Sequence, residues 1–391
     1  MLKAYLPNLK TTSKNILIAP LNWGLGHATR CIPIIKELQQ FGFTPIIASD
    51  GVALRLLQKE FPELVSIELP SYEIEYAKDE KDFKWKLIKN SPKMIQAIFE
   101  EKQKVKELVK QYDLKGIISD NRLGVYSKKV PSVFITHQLN VLSGKTTWIS
   151  SKLHQFFIAK FTECWIPDCK DQPNLTGKLG HLENSSLNLK YLGPLSRLVK
   201  KNLPLRYDLM VILSGPEPQR TMLEDKLTAE LQDYEGSILF IKGKVEPEQN
   251  IKTDRHITYY NFMTSEEVEK AFNESDLVLC RSGYTTVMDL AKLEKKAFFI
   301  PTPGQFEQEY LAKRCKRKGM APFAKQDEFK AEKLLEIDLY KGFPKSEATV
   351  NWKQLFILFH GEWKFRTFAK LAFHINFFAM GFDNVFHDRQ A

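Results

Sequence analysis

The chain has 391 residues, 43% of them hydrophobic, enough for two cores of ordinary domain size. No apolar run approaches the ~20 residues of a membrane-spanning helix. Residues 1–13 lack the apolar stretch of a secretory leader, and the five cysteines form no C-x-x-C pair or zinc spacing. The protein is therefore expected to be cytoplasmic, or peripheral on the inner face of the cytoplasmic membrane, with reduced thiols. The net charge of +10 suits a diphosphate ligand, an anionic lipid surface or nucleic acid, or simply a solvated lysine-rich surface.

In chain order, short apolar runs at 16–19, 45–48, 65–69, 116–119, 133–136 and 164–166 read as strands bounded by Gly, Pro, Asp or Ser. Helical periodicity lies between them, as at Ile32, Ile35 and Leu38, and at Ile95, Ile98, Val105, Leu108 and Val109. Continuous apolar strands alternating with helices imply a parallel sheet covered on both faces. Residues 196–204 mix Pro, charge and small residues and read as a linker. The alternation then restarts, with strands expected at 209–213, 238–241, 257–260, 277–280 and 297–300. Helices are expected near 219–233, 265–273, 285–293, 305–318 and 328–337. The reading is an α/β chain of two facing Rossmann-like domains with parallel sheets. These are an acceptor domain at 14–195 and a donor domain at 205–343, followed by an aromatic-rich, basic, helical C-terminal tail at 344–391. In the tail Trp352, Phe356, Phe359 and Trp363 fall on one helical face, which either packs back across the first domain or lies in a lipid interface.

The chemistry-bearing residues sit where predicted strands end. The first strand runs into N-W-G-L-G-H at 22–27, so Gly24 and Gly26 allow close backbone approach to a ligand, and His27 opens the following helix. The fourth and fifth strands end at Asp120 and in T-H-Q-L at 136–139, bringing Asp120 and His137 to the same cleft as acceptor-binding or proton-accepting groups. In the second half, Ser214 and Gly215 begin S-G-P-E-P-Q-R. There Gln219 and Arg220 are expected to reach the ligand and Glu217 to face away. The segment C-R-S-G-Y-T-T-V-M-D-L at 280–290 offers Ser282, Gly283 and Thr285 as phosphate donors. Asp289 is one helical turn further in, placed to accept from a ribose diol, and Gln308 is expected to reach the diphosphate or its attached group. Lys242 and Arg281 are candidate cations for leaving-group charge. No D-x-D metal clamp and no Walker motif occurs, so no metal and no cofactor are expected.

The segment 281–312 resembles the donor half of glycosyltransferase family 28, whose pattern is R-S-G-x-x-T-x-x-E-L, then P-x-P, then Q-x-x-N-A. Arg281, Ser282, Gly283, Thr286, Pro301, Pro303, Gln308 and Ala312 match it; Asp289 stands for the glutamate and Leu311 for the asparagine. Residues 22–27 resemble the family's G-G-T-G-G-H more loosely. The resemblance implies a fold of GT-B type, a UDP-sugar donor, inversion at the anomeric carbon and His27 as general base. The partners it implies are a nucleotide-sugar donor and a lipid or glycan acceptor, with a membrane surface left open and no nucleic acid. Two alternatives remain at this level: a UDP-sugar 2-epimerase of the same fold, which needs no acceptor, and a non-catalytic basic binder of membrane or nucleic acid.

Overall fold

A computed structural model of the chain describes residues 14–72, 80–215, 217–344 and 349–360. The first half contributes β1 (Asn15–Pro20), α1 (Gly26–Gln40), β2 (Thr44–Ser49), α2 (Gly51–Glu60), β3 (Ser66–Glu68), α3 (Glu80–Gln111), β4 (Gly116–Asp120), β5 (Ser132–Ile135), α4 (Thr147–Ile158), β6 (Glu163–Ile166) and β7 (Leu189–Tyr191). The second contributes β8 (Tyr207–Ile212), α5 (Gln219–Glu230), β9 (Ile238–Ile241), β10 (Ile251–Asp254), β11 (Ile257–Tyr260), α6 (Ser265–Asn273), β12 (Ser275–Cys280), α7 (Tyr284–Leu293), β13 (Lys296–Phe299) and α8 (Phe306–Arg317). A short α9 (Trp352–Phe356) follows.

The central strands are apolar on both faces because each face meets a different core. In β1, Ile16 and Ile18 join α1 residues Cys31, Ile32 and Ile35 on one side. Leu17 and Ala19 join Val105 and Leu108 of α3 on the other. In β8, Met210 faces one core and Leu209 and Val211 the other. This burial on two faces produces continuous apolar runs rather than alternation.

The first sheet is seven-stranded, in the order β3-β2-β1-β4-β5-β6-β7, and every pairing is parallel. The second is six-stranded, β10-β11-β9-β8-β12-β13, parallel except for the antiparallel edge strand β10. In each half the chain reverses direction across the sheet beside the first strand: between β1 and β4, and between β8 and β12. At such a switch point the crossover helices diverge and open a crevice beyond the carboxyl ends of the strands.

Several expectations change. The helix expected at 328–337 is a 3-10 run, Ala331–Leu339, with Leu335 and Leu339 exposed, so the apolar spacing there does not mark one buried face. Ile95, which the helical periodicity groups with Val105 and Leu108, faces solvent. The edge strands β7 and β10 carry no buried run and left no sequence signal. Phe356 and Phe359 are buried against the first half, with Phe356 packed edge-on to Phe43 at 5.9 Å and lying 6.5 Å from Trp165. A Cβ on Gly116 would lie 2.2 Å from the Phe359 ring, so glycine at the start of β4 is what admits it. The aromatic face at 352–359 thus packs across the first domain; Trp363 and the remaining tail aromatics lie outside the described residues.

Candidate active site

The two glycine turns meet. The loop after β1 turns at Gly24 (φ 74°) and delivers Gly26 and His27 into the first turn of α1. The loop after β12 delivers Gly283 as the N-cap of α7. Thr285 Oγ1 donates to the Gly26 carbonyl oxygen across the two halves at 3.2 Å, and a Cβ at Gly26 would lie only 2.9 Å from that hydroxyl. At Gly283 a Cβ would meet nothing within 4 Å, so the free N–H groups of the α7 first turn border open space. Gly215 (φ 106°), after β8, is open in the same sense, with Ser214 half-buried beside it.

His27, Asp120 and His137 form one hydrogen-bonded network. Asp120, buried at the end of β4, accepts from Arg30 Nε at 2.7 Å and Arg30 Nη2 at 2.5 Å, and its Oδ1 lies 2.7 Å from His27 Nδ1. Burial alone would raise the Asp120 pKa, but Arg30 and His27 outweigh it and hold the carboxyl at about 2. Asp120 is therefore ionised and fixes the His27 proton on Nδ1. Among the described residues nothing bonds His27 Nε2, and the side chain is 13% exposed. His137 is engaged at both nitrogens, Nδ1 by Arg30 Nη1 at 3.0 Å and Nε2 by Glu307 Oε1 at 2.7 Å. Burial lowers its pKa, although Glu307 opposes this. The ring stacks on Tyr284 with centroids 4.5 Å apart, and Tyr284 Oη donates to the Pro167 carbonyl.

Sequence reasoning missed Arg30, Glu307, Gln138 and Tyr284. Arg30 stands one helical turn after His27, so α1 periodicity alone put it beside Asp120. Glu307 comes from α8 of the other half and pairs with Gln138 as well as His137, a contact no local pattern announces.

The donor-side side chains are largely engaged within the protein. Arg281 is buried and spends its guanidinium on the carbonyls of Ile300, Pro301 and Gln219 and on Gln326 Oε1, so it ties loops together rather than facing a ligand. With no carboxylate in this set, burial brings its pKa down to about 9. Ser282 Oγ donates to the Gln308 carbonyl. The Gln308 side chain accepts from Thr302 N and donates to Gln305, which shapes the 301–308 loop instead of reaching outward. Arg220 is paired with Glu217 and Glu224, and Lys242 with Glu224, so neither is a free cation. Glu217 faces solvent while it holds Arg220. Asp289 is half-buried and accepts from Ser196 Oγ at 2.5 Å; burial lifts its pKa to about 6 against the pull of Ser196 and Arg197. Thr286 is half-buried on α7. Among the described residues no group of three or more His, Cys, Asp or Glu side chains is clustered as a metal site.

Two facing Rossmann-like sheets with their crevices opposed define the GT-B class of fold. The solved glycosyltransferase SnogD from Streptomyces nogalater shares it, with a TM-score of 0.51 at 14% identity over 83% of this chain and 89% of that one. Residues 219–354 match the model of the glycosyltransferase family 28 C-terminal domain. The chain is also similar to two enzymes described as UDP-N-acetylglucosamine–N-acetylmuramyl-(pentapeptide) pyrophosphoryl-undecaprenol N-acetylglucosamine transferase. The one from Haemophilus ducreyi is 25% identical over 222 residues, and the one from Mannheimia succiniciproducens 26% identical over 226. Each alignment covers 55% of this chain and 59% of the relative's length.

Proposed function

We propose that this protein is a glycosyltransferase that moves a hexose or N-acetylhexosamine from a UDP-sugar to a hydroxyl group of a lipid or glycan acceptor, with inversion and without a metal. The observation that carries the reading is the Asp120–His27 pair at the β1/β4 switch point, facing the open α7 N-terminus in the half that matches the family 28 C-terminal domain model. The similar bacterial enzymes named for transfer from UDP-N-acetylglucosamine to a polyprenyl-pyrophosphoryl acceptor support the same substrate classes.

In this mechanism the acceptor hydroxyl gives its proton to His27 Nε2. Its oxygen forms a bond to the anomeric carbon from the face opposite the nucleotide. The bond from that carbon to the phosphate oxygen breaks with its electron pair, and UDP leaves. Asp120 holds the His27 tautomer and stabilises the imidazolium that forms. Departing negative charge is met by the free N–H groups of the α7 first turn and by Ser214 and Gly215, because the nearby cations are already paired. Asp289 grips the ribose diol, exchanging its Ser196 contact for the ligand. His137 is no base in this scheme: with both nitrogens engaged, it and Glu307 hold the halves in register. Association with the inner face of the cytoplasmic membrane accompanies a lipid acceptor; among the described residues no helix is long and apolar enough to cross a membrane.

The test is UDP release from UDP-sugars with and without a lipid-extract acceptor, in the presence of a chelator. Acceptor-dependent release that survives chelation is the expected result. Epimer formation from donor alone, or release that stops when divalent ions are removed, would overturn the reading.

A further inference from the structure

We infer that Asn22 is a positioning residue: it anchors the glycine loop at 22–27, and with it His27, to a buried ion cluster that the chemistry does not otherwise use. The cluster is built on Arg122, buried in the loop after β4. Its Nε donates to Glu101 Oε1 at 2.6 Å and its Nη1 to Asp50 Oδ1 at 2.7 Å, while the carbonyls of Pro20 and Pro70 accept from its other N–H groups. One guanidinium thus joins the carboxyl ends of β1, β2 and β3 to α3. The side chains of Arg122 and Glu101 are fully buried and that of Asp50 is 6% exposed. Taking three ionised groups out of water is costly, and apolar packing would serve the core at least as well, so the cluster is better explained by what it holds in place than by stability.

Charge shows what it holds. Two carboxylates face one guanidinium, so carboxylate oxygens are left over for neutral donors. Glu101 accepts from Tyr72 Oη at 2.7 Å and from Gly124 N at 3.0 Å. Asp50 Oδ2 accepts from Asn22 Nδ2 at 3.1 Å. Asp50 is the N-cap residue of α2, yet its side chain caps nothing in its own helix. Asn22 does so in its stead: its Oδ1 accepts from Ala53 N, in the first turn of α2, at 3.3 Å. Both ends of the carboxamide are therefore held at the start of α2. Gly51 makes the room, since a Cβ there would lie 2.2 Å from Asn22 Nδ2, and its φ of 52° also favours glycine. Asn22 stands where the family pattern G-G-T-G-G-H has glycine, so the anchor belongs to this chain and not to the motif. At the far end of the loop the Thr285 hydroxyl holds the Gly26 carbonyl. With both ends fixed, the first turn of α1 and His27 keep one register against the α7 N-terminus. Without Asn22 the loop loses its polar anchor in the first half.

The kinetic consequence rests on the transferase reading, whereas the anchor itself does not, and the experiment separates the two. Hydrogen exchange over residues 21–27 of the ligand-free full chain is expected to quicken at least about tenfold in Asn22→Ala. The same is expected in Gly51→Ala, which leaves Asn22 intact but fills its seat. In both variants the kcat of acceptor-dependent UDP release should fall at least about tenfold, with UDP affinity unchanged because α7 is untouched. Asn22→Asp keeps an acceptor for Ala53 N but sets a third carboxylate, with no donor, against Asp50 in a cluster whose other titratable groups are Arg122, Glu101 and Tyr72. Its activity relative to the parent should be lowest near about pH 8 and recover toward about pH 5, where a proton shared between the two carboxyls restores the hydrogen bond. Dividing by the parent's profile removes the titration of His27, which both proteins share. The inference is overturned if exchange at 21–27 in both alanine variants matches the parent, or if Asn22→Ala keeps the kcat of an active parent. It is equally overturned if Asn22→Ala loses UDP affinity in proportion, or if the Asn22→Asp profile parallels the parent's throughout. Faster exchange in the variants of a parent that transfers nothing would leave the anchor standing and sink the transferase reading instead.

Discussion

Asp120 decides what His27 is able to do. A histidine at a helix start is often only a cap, but here a buried, ionised carboxylate faces Nδ1 and leaves Nε2 as the proton acceptor. His27→Ala should therefore lower transfer by roughly 10²–10⁴-fold while UDP binding, measured by calorimetry, stays as in the parent. Asp120→Asn removes more, because it strands the buried Arg30 guanidinium. It should cost about 3–5 kcal/mol of stability in denaturant unfolding, in addition to activity. Asp289 gives the pH dependence. Its folded pKa, about 6, lies above the ordinary aspartate value, so its contribution to stability is complete below that ordinary value and is lost as pH rises through about 6. The Asp289→Asn variant should accordingly gain stability relative to the parent above pH 6, and lose that advantage at acid pH. UDP affinity of the parent should fall as pH drops below about 6, because a protonated carboxyl accepts more weakly from the ribose diol. A pH-independent affinity between roughly 5 and 8 would remove Asp289 from the ligand.

Among the elements, the legible ones were those with two buried faces. β1, β4, β5, β8 and β12 announce themselves as apolar runs because both sides meet a core. The edge strands β7 and β10 do not, since their residues are half-buried or exposed. α4 was missed for a different reason: most of its large apolar residues point outward and its inward face carries Ser151, His154 and Gln155 before the buried Ile158, so little buried periodicity exists to detect. The short α9 shows the opposite case, where aromatic spacing marked a face that does find a core. Phe356 fills a site between Phe43 and Trp165. Phe356→Ala should cost about 3–5 kcal/mol, measured by chemical denaturation, through a cavity beneath the first sheet. A loss below about 1 kcal/mol would mean that the segment does not pack there.

At the scale of the whole molecule, the site exists only because the two halves meet. The glycine turns, His27, Asp120 and His137 were readable one at a time, since each lies at the end of an apolar run. Their partners across the cleft were not, because the pairing of Glu307 with His137 and of Thr285 with Gly26 depends on how two sheets some hundred and more residues apart face each other. For Arg281, Ser282 and Gln308 the motif gives residue types and spacing, while the loop fold decides which neighbouring groups their side chains engage. Glu307→Gln should weaken the join between the halves and raise hydrolysis of donor in the absence of acceptor, measured as UDP release, since water exclusion depends on closure.

The most direct measurement is acceptor-dependent UDP release from a UDP-hexose or UDP-N-acetylhexosamine by the parent chain and by His27→Ala, with UDP affinity measured on both. The account predicts release in the parent only when acceptor is present, and at least about a hundredfold loss in the variant at unchanged UDP affinity. Full activity in the variant, or no UDP binding by the parent, would contradict it.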